Sequence, residues 1–307
     1  MFVALCAAVG GAFGSFFNVV VWRLPRGESV VHPGSRCPGC GRAIPFYRNI
    51  PVVSWLLQRG KCAWCARPIP LFYVLVEAFC ALIGAFCGWS WTAGLWTDPV
   101  KAAGWAIFAM LSVPIALIDW EHFEIPDSLV VVSGIGAVLA AIGLSPIDSR
   151  AEALLDTLQD GLLAAGFLYA IHFTGRVALG ALGVLARAVL VRGIRWEWRR
   201  GWRRDLLLVG LRWARFDTEM EALGLGDVSL GLAAGACLGF PAILAGLAPA
   251  AGLGALGYLF RKSHPLHQAR AQELGIDPQA IPFGPFLCAG FLLAAWVLRD
   301  GLPGLVP

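Results

Sequence analysis

"MFVALCAAVGGAFGSFFNVVVW", residues 1–22, carries no charged side chain over a length that crosses about 30 Å of hydrocarbon as a helix. It lacks the basic n-region of a cleavable signal peptide, so it is expected to remain as the first membrane helix. The rest of the chain repeats the pattern. Of its 307 residues 58% are hydrophobic and 14% charged, where a soluble domain holds about a quarter charged residues. One aqueous core cannot take up that apolar surplus. The reading is an all-α polytopic membrane protein with about eight transmembrane helices, near 1–22, 70–90, 102–118, 128–145, 158–182, 228–240, 242–260 and 283–299. The runs 228–240 and 242–260 are short and share Pro241. No internal repeat or low-complexity tract is evident.

The net charge of +4 matters less than where the charges stand. Residues 23–68 hold eight Lys or Arg against Glu28 alone, and residues 187–217 hold nine Arg against three acids. Residues 146–160 hold Asp148, Glu152, Asp156 and Asp160 against Arg150. Basic loops face the cytoplasm. The pattern therefore predicts an outward N-terminus, with 23–68, 119–127, 187–227 and 261–282 all cytoplasmic.

Cys6, Cys80, Cys87, Cys237 and Cys288 lie singly in apolar runs and are expected to pack between helices. The other four form two pairs, "CPGC" (Cys37, Cys40) and "CAWC" (Cys62, Cys65), separated by 21 residues. Each pair presents two thiolates from a tight turn, and two such knuckles complete a tetrahedral four-sulfur site. The loop between them is too short for a core of its own, so an ion is expected to hold it together. Two disulfides are disfavoured in a reducing compartment. Zinc in a closed, structural role is the leading reading, with rubredoxin-type iron the alternative that spacing alone leaves open.

Charged groups at membrane depth are costly and mark function. "ALIDWEHFEIPDSLV" (116–130) puts Asp119 at the cytoplasmic end of the third span and Asp127 at the start of the fourth, as a helix N-cap. "GLGDVSLG" (224–231) puts Asp227 at the cytoplasmic start of the sixth. Asp119 and Asp227 thus reach one membrane face at similar depth. Two neighbouring carboxyls share a proton, one acting as base and the other as acid, which suits amide hydrolysis. Gly224 and Gly226 let backbone approach backbone, as an extended substrate needs.

"GAFGSFFNVVVWRLP" (11–25), the paired CxxC knuckles, "RGKCAWC" (59–65), "ALIDWEHFEIPD" (116–127), "GLGD" (224–227) and "IPFGPF" (281–286) follow one another in a fixed order. In that order they resemble bacterial type IV prepilin peptidases, the GxGD-type membrane aspartic proteases. The resemblance covers nearly the whole chain. It implies that Asp119 and Asp227 are catalytic and that Asp127 supports them. It implies cleavage of a short basic leader, after a glycine, from type IV prepilins or type II secretion pseudopilins, at the cytoplasmic face of the bacterial inner membrane. It further implies N-methylation of the new terminus with S-adenosylmethionine, associated with the cysteine-rich loop. Glu77 fits the family's "VE" position, where a part in methyl transfer is expected. No GxGxxG follows a strand pattern, so no cofactor residues are readable. "IPFGPF" is expected to open the last span non-helically, near the catalytic pair.

Glu121, Glu124, Glu219 and Glu221 flank the two aspartates, where they would attract a basic leader. The 107 residues between Asp119 and Asp227 exceed the family's compact members. The excess, 183–217, alternates Arg with Trp and Leu, which predicts amphipathic helix on the anionic leaflet rather than nucleic-acid binding. A contact there with inner-membrane assembly proteins is compatible with the pattern. The domain boundaries read as 1–22 first helix, 23–69 zinc module, 70–182 helices two to five, 183–223 insertion, and 224–307 GxGD motif with helices six to eight. The competing readings are a non-catalytic scaffold docking partners through its zinc knuckle and a proton-coupled transporter. A transporter wants its acids near mid-bilayer, whereas these fall at span ends.

Overall fold

The computed structural model of the chain describes residues 1–96, 98–197, 224–262 and 282–299. An apolar segment out of reach of water has to bond its backbone within itself, and helices are the result. Nine α-helices form among the described residues: α1 (Phe2–Arg23), α2 (Val53–Leu57), α3 (Leu71–Thr92), α4 (Pro99–His122), α5 (Asp127–Leu144), α6 (Arg150–Glu197), α7 (Leu225–Leu238), α8 (Phe240–Lys262) and α9 (Gly284–Val297). Two isolated bridges, Arg36 to Ala43 and Lys61 to Pro68, are the β pairing among those residues.

Local chemistry sets the ends. Pro99 occupies the first turn of α4, where a missing N–H costs nothing, and Asp98 caps it by accepting from Val100 and Lys101 N–H at 2.8 and 3.3 Å. Gly239, at φ 85, breaks α7 from α8. Pro241 therefore stands in the first turn of α8 and is not shared between two spans.

Helices appear at all eight expected places. Six are long and apolar enough to cross a membrane: Phe2–Arg26, Leu71–Thr92, Pro99–His122, Asp127–Leu144, Ile147–Thr174 and Phe240–Gly257. The chain is an integral membrane protein. The segments expected as the sixth and eighth spans, α7 and α9, have 14 residues each. At 1.5 Å per residue that is about 21 Å, short of the hydrocarbon thickness. Close packing compensates. Gly235 of α7 lies against the backbone of Asp160 in α6, and Gly290 of α9 against Gly246 of α8. α6 runs on as one helix to Glu197, so 182–183 is no helix boundary, and residues 198–223 of the expected insertion lie outside the described residues.

α4 is the central helix. Its Phe108, Ile115 and Ile118 are fully buried with Leu168 of α6, Leu230 of α7, and Leu287 and Phe291 of α9. Other large apolar side chains face outward, among them Leu75, Phe79, Leu82, Val131, Ile135 and Leu139. An exposed apolar belt of this extent has lipid as its solvent.

α1 and α3 approach through glycine. Gly10 and Gly14 of α1 meet Cys80 and Glu77 of α3, while Gly84 and Gly88 of α3 meet Cys6 of α1. This is reciprocal small-xxx-small packing, in which missing side chains let backbones touch. A Cβ at Gly84 would collide with the Cys6 carbonyl, whereas one at Gly134 of α5 would meet nothing within 4 Å. Gly84→Ala is expected to destabilise the purified protein by about 1–3 kcal/mol, read as a lower Tm in detergent. Gly134→Ala should leave Tm unchanged or raise it, because alanine is the better helix former. Equal effects at the two positions would contradict this packing.

Candidate active site

α4 ends because Phe123 turns into the left-handed region at φ 58, its N–H returning to the Asp119 carbonyl. That stop leaves Asp119 in the last turn of α4, buried at 5% exposure. Asp227 sits in the first turn of α7, at 8% exposure. Its carboxylate accepts the Gly224 N–H at 3.0 Å. This is the returning half of a capping box; the glycine at the N-cap has no side chain to supply the other half.

Asp119 gains a donor from a third helix, since the Gly284 N–H at the start of α9 reaches its Oδ2 at 3.0 Å. A Cβ on Gly284 would stand 2.8 Å from the same oxygen, so only glycine admits this bond. Ile125, in the link from α4 to α5, is buried between the two helix starts. An added Cβ at Gly226 would lie 3.2 Å from its Cβ, and one at Gly284 3.2 Å from its Cδ1. Cys288, one turn along α9, is fully within the bundle. The two acids therefore occupy one neighbourhood, at the end of the bundle where α4 stops and α5, α7 and α9 begin. The positive ends of α7 and α9 point at the two carboxylates.

The other expected site residues are placed as follows. Pro126, not Asp127, holds the N-cap position of α5; Asp127 is the first helical residue, exposed, and makes no capping bond. The proline's extended ψ already directs the chain into the helix, and an acid one residue later still favours the positive helix end. Gly226 lies close against Ile125, which a side chain there would have to displace by a few tenths of an ångström, while Gly224 has φ −71 and room for a side chain. Glu121 and Glu124 are exposed beside Asp119; Glu219 and Glu221 lie outside the described residues. Glu77 accepts the Val52 N–H at 2.7 Å and so engages the four-cysteine module. Val52 is a β-branched residue at φ 62, a conformation that persists only where surroundings impose it. Gly284 and Ile125 were given no role from sequence, and Cys288 was read as a cysteine packing between helices, which its burial bears out. "IPFGPF" marked the region of Gly284, but not its bond to Asp119.

The module contains a repeat that the sequence reading missed. "CPGCGRAIP" (37–45) and "CAWCARPIP" (62–70) fold alike. Cys37 N–H bonds to Arg42 O at 3.0 Å and Cys62 N–H to Arg67 O at 2.8 Å; Gly41 and Ala66 N–H return to Cys37 and Cys62. Gly41 and Ala66 both take positive φ. At nine residues, and varied between the cysteines, the repeat is too short for composition or periodicity to mark it. The four Sγ atoms lie within 4.8 Å of one another, with Cys37 to Cys65 at 3.7 Å. A tetrahedral zinc–sulfur site with bonds of about 2.3 Å has sulfur–sulfur edges of about 3.8 Å. The donor set therefore fits a tetrahedral ion. Backbone N–H groups of Cys40 and Gly39 draw the Cys37 thiol down to about 6, and those of Cys65 and Trp64 lower Cys62. Cys65 is pushed up to about 11: the Arg67 amide pulls it down, but desolvation and the neighbouring sulfurs outweigh that pull. Four thiolates this close repel one another, and a cation relieves the repulsion.

Two family profiles match, the Bacterial Peptidase A24 N-terminal domain over residues 8–91 and the Type IV leader peptidase family over residues 105–259. Among curated relatives, the prepilin leader peptidase/N-methyltransferase of Myxococcus xanthus is 34% identical over 174 residues, which span 55% of this chain and 47% of that protein. The enzyme of the same name from Pseudomonas putida is 26% identical over an alignment of 318 residues, covering 96% of this chain and 91% of that protein. The type 4 prepilin-like proteins leader peptide-processing enzyme of Escherichia coli is 30% identical over 256 residues, 76% of each chain. No solved structure matches the chain. The profile over residues 105–259 takes in Asp119, Ile125 and Asp227, and with it the chain belongs to the type IV leader peptidase family.

Proposed function

We propose that this chain removes the basic leader from a type IV prepilin or type II secretion pseudopilin and methylates the new N-terminus, with Asp119 and Asp227 as its catalytic pair. The observation that carries this is that two buried carboxylates, with 107 residues between them in sequence, come to one end of the bundle around Ile125 and the start of α9. In the hydrolytic step the ionised carboxylate takes a proton from water as its oxygen bonds to the scissile carbonyl carbon. The protonated partner gives its proton to the substrate. Collapse of the tetrahedral adduct breaks the C–N bond, the amine leaves with a proton, and the pair is restored with one proton between two groups. The Gly284 N–H holds Oδ2 of Asp119 and the Gly224 N–H holds Oδ2 of Asp227, which fixes the orientation of each carboxylate.

Orientation follows from charge: the eight Lys and Arg of residues 23–68 favour the cytoplasm, which places the site at the cytoplasmic face of the inner membrane. Zinc held by Cys37, Cys40, Cys62 and Cys65 has no open coordination position and serves the fold of the module. The methyl donor is S-adenosylmethionine. We place it in the cleft of about 320 Å³ between α1 and the module, lined by Ser15, Arg23, Asn49 and Pro51 among others. Hydroxyl, guanidinium and amide groups there suit a zwitterionic nucleoside, and the volume is in the range of ligand clefts. When bound, the donor supplies the methyl group to the newly freed amine.

Asp119→Asn and Asp227→Asn each keep an acceptor for their glycine N–H and should fold, yet lose at least about 100-fold in leader cleavage. Gly284→Val should cost cleavage as well, by displacing the Asp119 carboxylate. Full cleavage by either asparagine variant would exclude the pair and leave a scaffold role. The second check is metal content by mass spectrometry: the purified protein should hold one zinc per chain and Cys37→Ser little, whereas iron, or no metal in the parent, would exclude a zinc site. The third is calorimetric titration with S-adenosylmethionine, in which Asn49→Ala should bind about tenfold more weakly, as loss of a hydrogen-bonding group implies; unchanged binding would place the donor elsewhere.

A further inference from the structure

The four-cysteine module does not stand clear of the bundle. α1 and α3 run antiparallel in a register read from four contacts: Asn18 Nδ2 donates to Tyr73 O at 3.0 Å, Gly14 meets Glu77, Gly10 meets Cys80, and Gly84 meets Cys6. That register sets Leu71, the first residue of α3, beside Val20. Pro51 lies much deeper, against Gly11, where an added Cβ would stand 3.3 Å from the proline Cβ. From Val20 to Gly11 is about 13 Å along the helix. Val52 meets Glu77, about 9 Å into α3 from its start. The outward face of α3 is apolar from its first turn, with Leu71, Phe72, Leu75 and Phe79 exposed, so lipid extends to the start of that helix. With a leaflet of about 15 Å of hydrocarbon, the tip of the module lies inside it.

The polar groups of this segment are arranged accordingly. Irregular backbone at membrane depth needs partners in the protein. Val52 N–H has Glu77 Oε2, and Ile50 N–H has the buried Ser54 Oγ at 2.9 Å. Gln58 Nε2 donates to Arg48 O and Ser54 O at 3.2 and 3.1 Å, and Trp55 Nε1 donates to Ile69 O at 3.2 Å. The exposed side chains are Phe46, Tyr47, Asn49, Ile50, Val53, Leu56 and Leu57, all but Asn49 aromatic or aliphatic, with Phe46 at 85% and Leu57 at 79% exposure. Exposed Arg42, Arg59, Lys61 and Arg67 belong to the same module, suited to anionic headgroups. Backbone N–H groups at the tip bonded inward, a predominantly apolar face presented outward and a basic rim together describe a surface whose partner is lipid.

We propose that residues 46–57 form a re-entrant element whose apolar face lies in the acyl region of the leaflet on the module's side, with Glu77 as the positioning residue that holds it against α1 and α3. The inference is independent of the catalytic assignment. The test uses the full chain in nanodiscs of phosphatidylcholine and phosphatidylglycerol brominated on their acyl chains, with a fluorescent noncanonical side chain at one position at a time. Bromine should quench a reporter at Leu57 about as much as one at Phe79 on the outer face of α3, and should leave one at Ala63, in the second knuckle, bright. A Leu57 reporter that behaves like Ala63, or that is shielded from bromolipid and aqueous iodide alike because another protein surface covers it, overturns the proposal. With Glu77→Ala, quenching at Leu57 should fall toward the Ala63 level while Phe79 still reports an intact bundle. Glu77→Gln, which keeps an acceptor for Val52 N–H, should retain most of it. Unchanged quenching at Leu57 in Glu77→Ala overturns the positioning role.

Discussion

Polar groups away from water must find partners within the protein, and that constraint organises this molecule from its helices to its site. It turns each apolar run into a helix that closes its own hydrogen bonds. It places the two buried acids of the described residues beside helix starts, because there backbone N–H groups are unspent. Asp227 takes one from Gly224 in its own helix, and Asp119 takes one from Gly284 in another. The second bond ties the end of α4 to the start of α9 and makes the site a junction of helices rather than a property of one.

Glycine is the instrument of that junction. At Gly226 and Gly284 the absent side chain lets two helix starts close around Ile125. At Gly10, Gly14, Gly84 and Gly88 the same absence brings α1 and α3 into backbone contact. In a bilayer, where lipid is as apolar as leucine, such close packing takes the place of the hydrophobic drive that joins helices in water. It also explains how α7 and α9, too short to cross alone, remain embedded: their neighbours cover them.

The four-cysteine module obeys a different rule. Its knuckles are held by short backbone loops and converging sulfurs, and it has no apolar core of usual size. Yet its tip, from Phe46 to Leu57, is governed by the membrane constraint again, with Glu77 of α3 accepting the N–H of Val52. That carboxylate joins the module to the bundle beside the contact of Pro51 with Gly11. An expectation that assigned Glu77 to methyl transfer by its place in a motif had no means of seeing that bond.

What the sequence determined by itself was whatever depends on neighbours along the chain. Apolar runs predicted helices, because hydropathy over about 20 residues decides membrane insertion. Two CxxC pairs predicted four converging sulfurs, because knuckle geometry is local. Two aspartates at span ends predicted a shared face, because helix lengths fix depth. The tertiary structure alone decided what depends on residues distant in sequence: that Gly284 rather than a side chain partners Asp119, that Pro126 displaces Asp127 from the cap, that α7 and α9 fall short of a full span, and that Pro51 rests on Gly11. The physical reason is the same in each case. A hydropathy pattern records which groups avoid water, but the partner each buried polar group finds is set by which helices pack side by side.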